Sequence, residues 1–174
     1  ARELTPDWFR ERLLSGDSRV FSFASGLMEK LHPAKKLGVP FFQALLEDER
    51  LDWQVSRFAL DALERLPAAN IPLDFARRAL VHSSTRGRFI SFVEADRIKA
   101  VDLGVDFLKA LAFEPTWDAS DFVAGLRTSS LSELRSASFD AGLAGKALGW
   151  LGDVRRFSPD QLGFDWLMQM VRVP

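Results

Sequence analysis

Apolar and polar positions along this chain follow a five-residue pattern: an aliphatic residue, two variable residues, Asp or Pro, then a large aromatic. It occurs at Leu4 to Trp8, Leu37 to Phe41, Ile71 to Phe75, Leu103 to Phe107 and Leu162 to Trp166. The first four copies lie 33, 34 and 32 residues apart. A fixed period in this range predicts stacked helical repeats, because one helix pair cannot bury its apolar face alone and a stack of them can.

Each copy reads as a helix start. Asp7, Asp74, Asp106 and Asp165 stand ahead of an apolar run. A carboxylate there accepts hydrogen bonds from unpaired backbone N–H groups and meets the positive end of the helix dipole. Pro40 holds that place in the second copy and suits a first turn, where its missing N–H would have no partner. A second helix is predicted in the first two units. Val20, Phe23, Ala24, Leu27, Met28 and Leu31 step by 3, 1, 3, 1, 3, and Val55, Phe58, Ala59, Ala62, Leu63 and Leu66 repeat those steps at a constant offset of 35. That spacing marks one face of a 3.6-residue helix. Asp17 and Asp52 are the expected N-caps of these helices, and Pro33 and Pro67 stop them. No segment sustains a period of two, so no strand is predicted.

The later units are less regular. Residues 82–87 read as a loop. One helix is expected from about Arg88 to Asp102, although Glu94, Asp96 and Arg97 interrupt its apolar face. A short helix is expected at Ala119, Phe122, Val123 and Leu126. After a loop at 128–130, a longer one should carry Leu134, Ala137, Ala141, Ala144, Leu148 and Leu151. Gly142, Gly145 and Gly149 on it do not make a phosphate loop, because no strand precedes them; they are read as allowing close helix approach or as leaving that helix marginal. The expected fold is all-α: antiparallel helix-pair repeats stacked as a solenoid of about nine or ten helices. The units fall near 4–36, 37–70, 71–102 and 103–128, with an irregular unit at 129–158 and a partial one at 159–174.

The second unit resembles a HEAT-type repeat: Val39-Pro40-Phe41-Phe42, Leu45-Leu46, Asp52-Trp53-Gln54-Val55-Ser56-Arg57, then Ala59 and Leu63. Such repeats pair two antiparallel helices, with Asp in the connecting turn and Arg early in the second helix. Asp52 and Arg57 match those places. Asp17 matches in the first unit, where Ser22 stands in place of the Arg. The resemblance is good over residues 4–67 and weak beyond. It implies a fold and no particular activity.

Composition narrows the function. The 174 residues suffice for one domain with a sizeable core, and 47% hydrophobic with 27% charged residues is a globular balance. The formal net charge of −1 lacks the basic excess that phosphate neutralisation asks for. Cysteine is absent, which removes disulfides and thiolate ligands, and His32 and His82 are the two histidines. No apolar run reaches membrane-span length, and the N-terminal residues lack a signal-peptide core. The chain opens without Met and stops at Pro174 one helix into a new repeat, which predicts a piece of a longer protein. The expected location is cytoplasmic.

Two candidate sites emerge. The segment from Pro72 to Ala100 carries Arg77, Arg78, Arg86, Arg88, Arg97 and Lys99 for a net +3, after a stretch from Phe41 to Arg65 of net −3. These six are the candidate partner-binding residues, with salt bridging and solvated charge as the bland alternative. In the last helix, Leu167 and Met170 belong to an apolar face that no following helix covers, and are candidates for self-association. Trp8 and Trp166 are read as core, and Trp53, Trp117 and Trp150 as cover for the edge of the stack. Glu47, Asp48 and Glu49 are read as a turn, His32 as a helix end, and His82 beside Ser83 as an ordinary loop without triad context. No catalytic residue, metal ligand or cofactor is predicted. The expected function is a non-enzymatic protein-interaction or scaffold module that binds a protein or other domains of its parent chain. The alternatives are a nucleic-acid-binding domain like the HEAT-like DNA glycosylases, and a structural spacer.

Overall fold

A computed structural model describes residues 4–112 and 141–172, the side chains of 141 and 169–172 excepted. The expected helix at 119–126, Trp117 and the start of the next helix at Leu134 and Ala137 lie outside the described residues. The described residues form eleven α-helices and one 3-10 turn, with no strand. The chain is all-α. It divides into two compact units, residues 1–72 and 73–174.

The first unit is two helical hairpins. α1 (Pro6–Leu13) packs on α2 (Ser18–Leu31), and α3 (Ala34–Leu46) packs on α4 (Trp53–Glu64). Asp17 and Asp52 are N-caps as expected: Asp17 accepts from the amides of Arg19 and Val20, and Asp52 from Val55 N at 2.8 Å. Thr5 caps α1 with its hydroxyl, so Asp7 sits inside the first turn, where it meets the dipole without capping. Asp74, Asp106 and Asp165 are likewise first-turn residues. Phe9, Phe42, Leu13, Leu45 and Leu63 are wholly enclosed. The deepest aromatic in each hairpin is thus the residue after the patterned one. The hairpins stack through α1 and α3. Phe21 of α2 meets Phe58 of α4 edge-on at 5.8 Å, and Glu29 of α2 pairs with Arg65 just beyond α4 at 3.7 Å. Phe21 precedes Glu29 along α2 as Phe58 precedes Arg65 along α4, so the two helices run in the same direction.

The acidic turn at residues 47–49 ties the hairpins together. Asp48, with a side chain only 8% exposed, accepts from Arg10 at 2.9 Å and from the Arg50 guanidinium and amide, while Arg50 reaches Glu11 at 3.0 Å. The Arg50 hydrogen bond, followed by its other donors, holds the Asp48 carboxyl far below the usual carboxylate range. A group whose folded pKa is depressed lends stability above its unfolded value, about 3.9, and loses it as pH falls through the folded value. Acid unfolding followed by circular dichroism should therefore shift in Asp48→Asn, with a shallower loss of stability below about pH 4 than in the parent chain.

The described helices of the second unit are α5 (Leu73–Val81), α6 (Arg86–Glu94), α7 (Ala100–Leu103), α8 (Val105–Ala112), α9 (Ala141–Leu151), α10 (Pro159–Leu162) and α11 (Phe164–Arg172). α5 packs on α6, and α8 packs on α9. The single helix expected from Arg88 to Asp102 is instead α6 and α7. Asp96, at φ 52°, turns the chain left-handed, and the Phe92 carbonyl takes the amides of Arg97 and Ile98. That closure ends α6 as glycine usually does, with an aspartate in glycine's place. Gly142, Gly145 and Gly149 of α9 are exposed, and among the described residues Cβ atoms on the last two would meet nothing within 4 Å, which fits a helix weakened by glycine better than close approach at those two positions. α9 is buried through Leu143, Ala144, Ala147, Trp150 and Leu151.

A one-turn helix precedes the patterned helix in three copies: the first turn of α3, α7 and α10. Each ends at a glycine of positive φ: Gly38 (71°), Gly104 (90°) and Gly163 (77°). The four-residue helices α7 and α10 account for much of the excess over the expected nine or ten.

Candidate interaction surface

Three of the six predicted basic residues, Arg77, Arg86 and Arg97, turn onto carbonyls or a ring of their own unit. Arg77 on α5 donates through Nε to the Leu103 carbonyl at 2.9 Å, pairs with Asp74 at 3.1 Å, and lies over the Phe107 ring. Lys109 on α8 does the same one repeat later. Its Nζ reaches the Leu162 carbonyl at 2.5 Å and lies 5.3 Å from the centre of the Trp166 ring. Each cation stands two residues past its own patterned aromatic. Each closes the one-turn helix of the following copy at the carbonyl ahead of the glycine, where a helix end leaves acceptors unfilled. Lys109 is buried, and desolvation lowers its pKa against a smaller opposing pull from Asp106.

Arg86 caps the end of α5, donating to the carbonyls of Leu80 (3.3 Å) and Val81 (2.6 Å), while the buried Thr85 hydroxyl donates to Ala79 at 2.7 Å. Three successive carbonyls are satisfied by two adjacent side chains. Arg97 lies against the Phe92 ring, 4.7 Å from its centre. Arg78 and Arg88 are half-buried, and Lys99 is exposed at the start of α7. The six residues therefore do not make one continuous exposed stripe. The acids that interrupt the apolar face are exposed and paired: Asp96 meets Arg156 at 3.0 Å, and Glu94 meets Lys146.

Leu167 is half-buried on α11, and the Met170 side chain lies outside the described residues. Of the two tryptophans read as core, Trp166 is buried and Trp8 is half-buried, and Trp150 is buried as well. Phe164, opening the same helix, is 73% exposed. His32 closes α2, and its Nε2 meets the Leu4 carbonyl at 2.9 Å. His82 Nδ1 and the Ser84 hydroxyl are 2.8 Å apart in an exposed turn. Among the described residues no group of three His, Asp or Glu is placed to hold a metal ion, and no helix is long and apolar enough to cross a membrane. No family model, no curated protein and no solved structure matches this chain.

Of the seven large apolar residues exposed among the described residues, Leu73, Val101, Val154 and Phe164 lie in the second unit, and the other three lie on the second helices of the first. Trp53, the first residue of α4, is 71% exposed. On α2, Phe23 is 63% and Leu31 45% exposed, with Val20 and Leu27 half-buried between them. Their counterparts on α4 at the offset of 35, Val55, Ala62 and Leu66, are buried, and Phe58 is covered by Phe21 and Phe42. The sequence period marks both stripes alike, since periodicity reports an apolar face and not whether a neighbour lies against it. In the HEAT-like positions, Asp52 caps α4, whereas Arg57 is exposed and pairs loosely with Asp61 along its own helix at 4.0 Å.

Proposed function

We propose that this chain is a non-enzymatic protein-interaction module of stacked helical hairpins in a HEAT-like, solenoid-type arrangement, which engages a protein partner through its second helices. The observation that carries the reading is the pair of large exposed aromatics, Phe23 on α2 and Trp53 on α4. Aromatics of this size repay desolvation when a partner encloses them and are enriched where proteins meet. The inward turn of Arg77 and Arg86 supports a protein partner over a nucleic acid, because their donors are committed to backbone carbonyls.

The test is recovery of a defined partner at fixed stoichiometry by the parent chain, with at least tenfold weaker binding after Trp53→Ala or Phe23→Ala at unchanged thermal stability. Substrate turnover abolished by a point change would overturn the reading. So would duplex DNA binding that falls steeply with added salt.

A further inference from the structure

We propose that the outer face of α2 docks an acidic amphipathic helix of a partner protein, which sets an aromatic against Phe23 and a carboxylate against Lys30. The proposal rests on the interaction reading above and names its surface and partner. It comes from translating one contact of the first unit back by a single repeat. α4 is covered by α2 through two side chains eight residues apart: Phe21 on Phe58 and Glu29 on Arg65. Subtracting the offset of 35 from Phe58, Arg65 and Leu66 gives Phe23, Lys30 and Leu31. All three are exposed. α2 therefore presents the acceptor surface that α4 presents, and its complement is a parallel helix with an aromatic followed eight residues later by an acid.

Charge selects the occupant. Arg19, Phe23, Gly26 and Lys30 lie on one strip at helical spacing, and the Arg19 side chain is 91% exposed. Glu29 is engaged with Arg65 at 3.7 Å and Arg19 with the N-cap Asp17 at 3.4 Å, so Lys30 gives the strip its basic end. Two copies of α2 crossing antiparallel on the strip would bring Arg19 against Lys30, which disfavours self-pairing and favours an acidic helix. Gly26 sits in the middle of the strip, and a Cβ built there meets nothing within 4 Å. A docking helix could approach closely at that point.

The probe is a stapled helical peptide with the sequence of residues 17–32 of this chain, in which Arg19 and Lys30 are changed to Glu. It carries the equivalents of Phe21 and Glu29. Fluorescence anisotropy should show saturable binding to the parent chain, weakened at least tenfold by Phe23→Ala and by Gly26→Leu, neither of which removes a buried contact. Lys30→Glu should weaken binding as well, and changing the peptide's Glu29 to Lys should restore it. Absence of binding, equal binding by Phe23→Ala, or failure of the charge swap overturns the proposal. Sedimentation showing self-association that Phe23→Ala abolishes also overturns it, in favour of a second copy. If a partner protein binds in a Trp53-dependent way while the peptide does not bind, this face falls and the interaction function stands.

Discussion

Gly104→Ala is expected to destabilise the second unit by about 1–3 kcal/mol, the range for a residue forced into backbone geometry that only glycine populates freely. At φ 90°, ψ 140° any Cβ crowds its own backbone, and here it would also lie 3.4 Å from an Arg77 guanidinium nitrogen. The substitution therefore strains the turn and presses on the cation that closes it. Gly163→Ala shares the positive φ but meets nothing within 4 Å, so it should fall lower in the same range. Gly26→Ala is the internal control. It lies inside α2 with open space around it, and should stabilise by up to about 1 kcal/mol through helix propensity. Urea unfolding of the three variants checks the order. Equal effects at positions 26 and 104 would refute the strain argument.

Lys109→Met should cost about 1.5–3 kcal/mol, the span for a hydrogen bond made by a charged group. Methionine keeps much of the buried stem and removes the donor that closes the Leu162 carbonyl. Lys109→Ala should cost more, because it also opens a void beside Trp166. The pH dependence separates donor from packing. Burial lowers the folded pKa of Lys109 below its unfolded value, so between the two the unfolded chain binds more protons. Stability contributed by this group therefore rises as pH climbs through that window. Chemical denaturation at a series of alkaline pH values should show this rise in the parent chain and a reduced one in Lys109→Met.

The two kinds of helix were unequally legible in the sequence. The stripe on α4 was readable in full, since periodicity and burial agree from Val55 to Leu66. The identical stripe on α2 was readable as a face but not as an exposed one, because exposure depends on what lies beyond Val20 and Phe23 in space. The lead-in glycines were within reach: Leu37-Gly38, Leu103-Gly104 and Leu162-Gly163 occupy the same two places of the pattern. The end of α6 was not, because an aspartate performs a turn that sequence rules assign to glycine or asparagine. The basic segment misled for a related reason. Counting charge between residues 72 and 100 gives its sign, but not the direction in which Arg77, Arg86 and Arg97 extend, and each of them finds a carbonyl or a ring of its own unit.

The paired cation closures of the second unit also differ in the length of chain that each must close. Arg77 joins a carbonyl 26 residues away, and Lys109 joins one 53 residues away. Doubling the length of a closed loop adds about 0.6 kcal/mol of entropy cost. The nearer closure thus forms against the smaller barrier, and it places α8, the helix from which Lys109 must reach. Nucleation at α5 to α8 followed by capture of α10 and α11 is the sequence of events that this geometry favours, so damage to the Arg77 closure should slow the growth of everything that follows it in the chain.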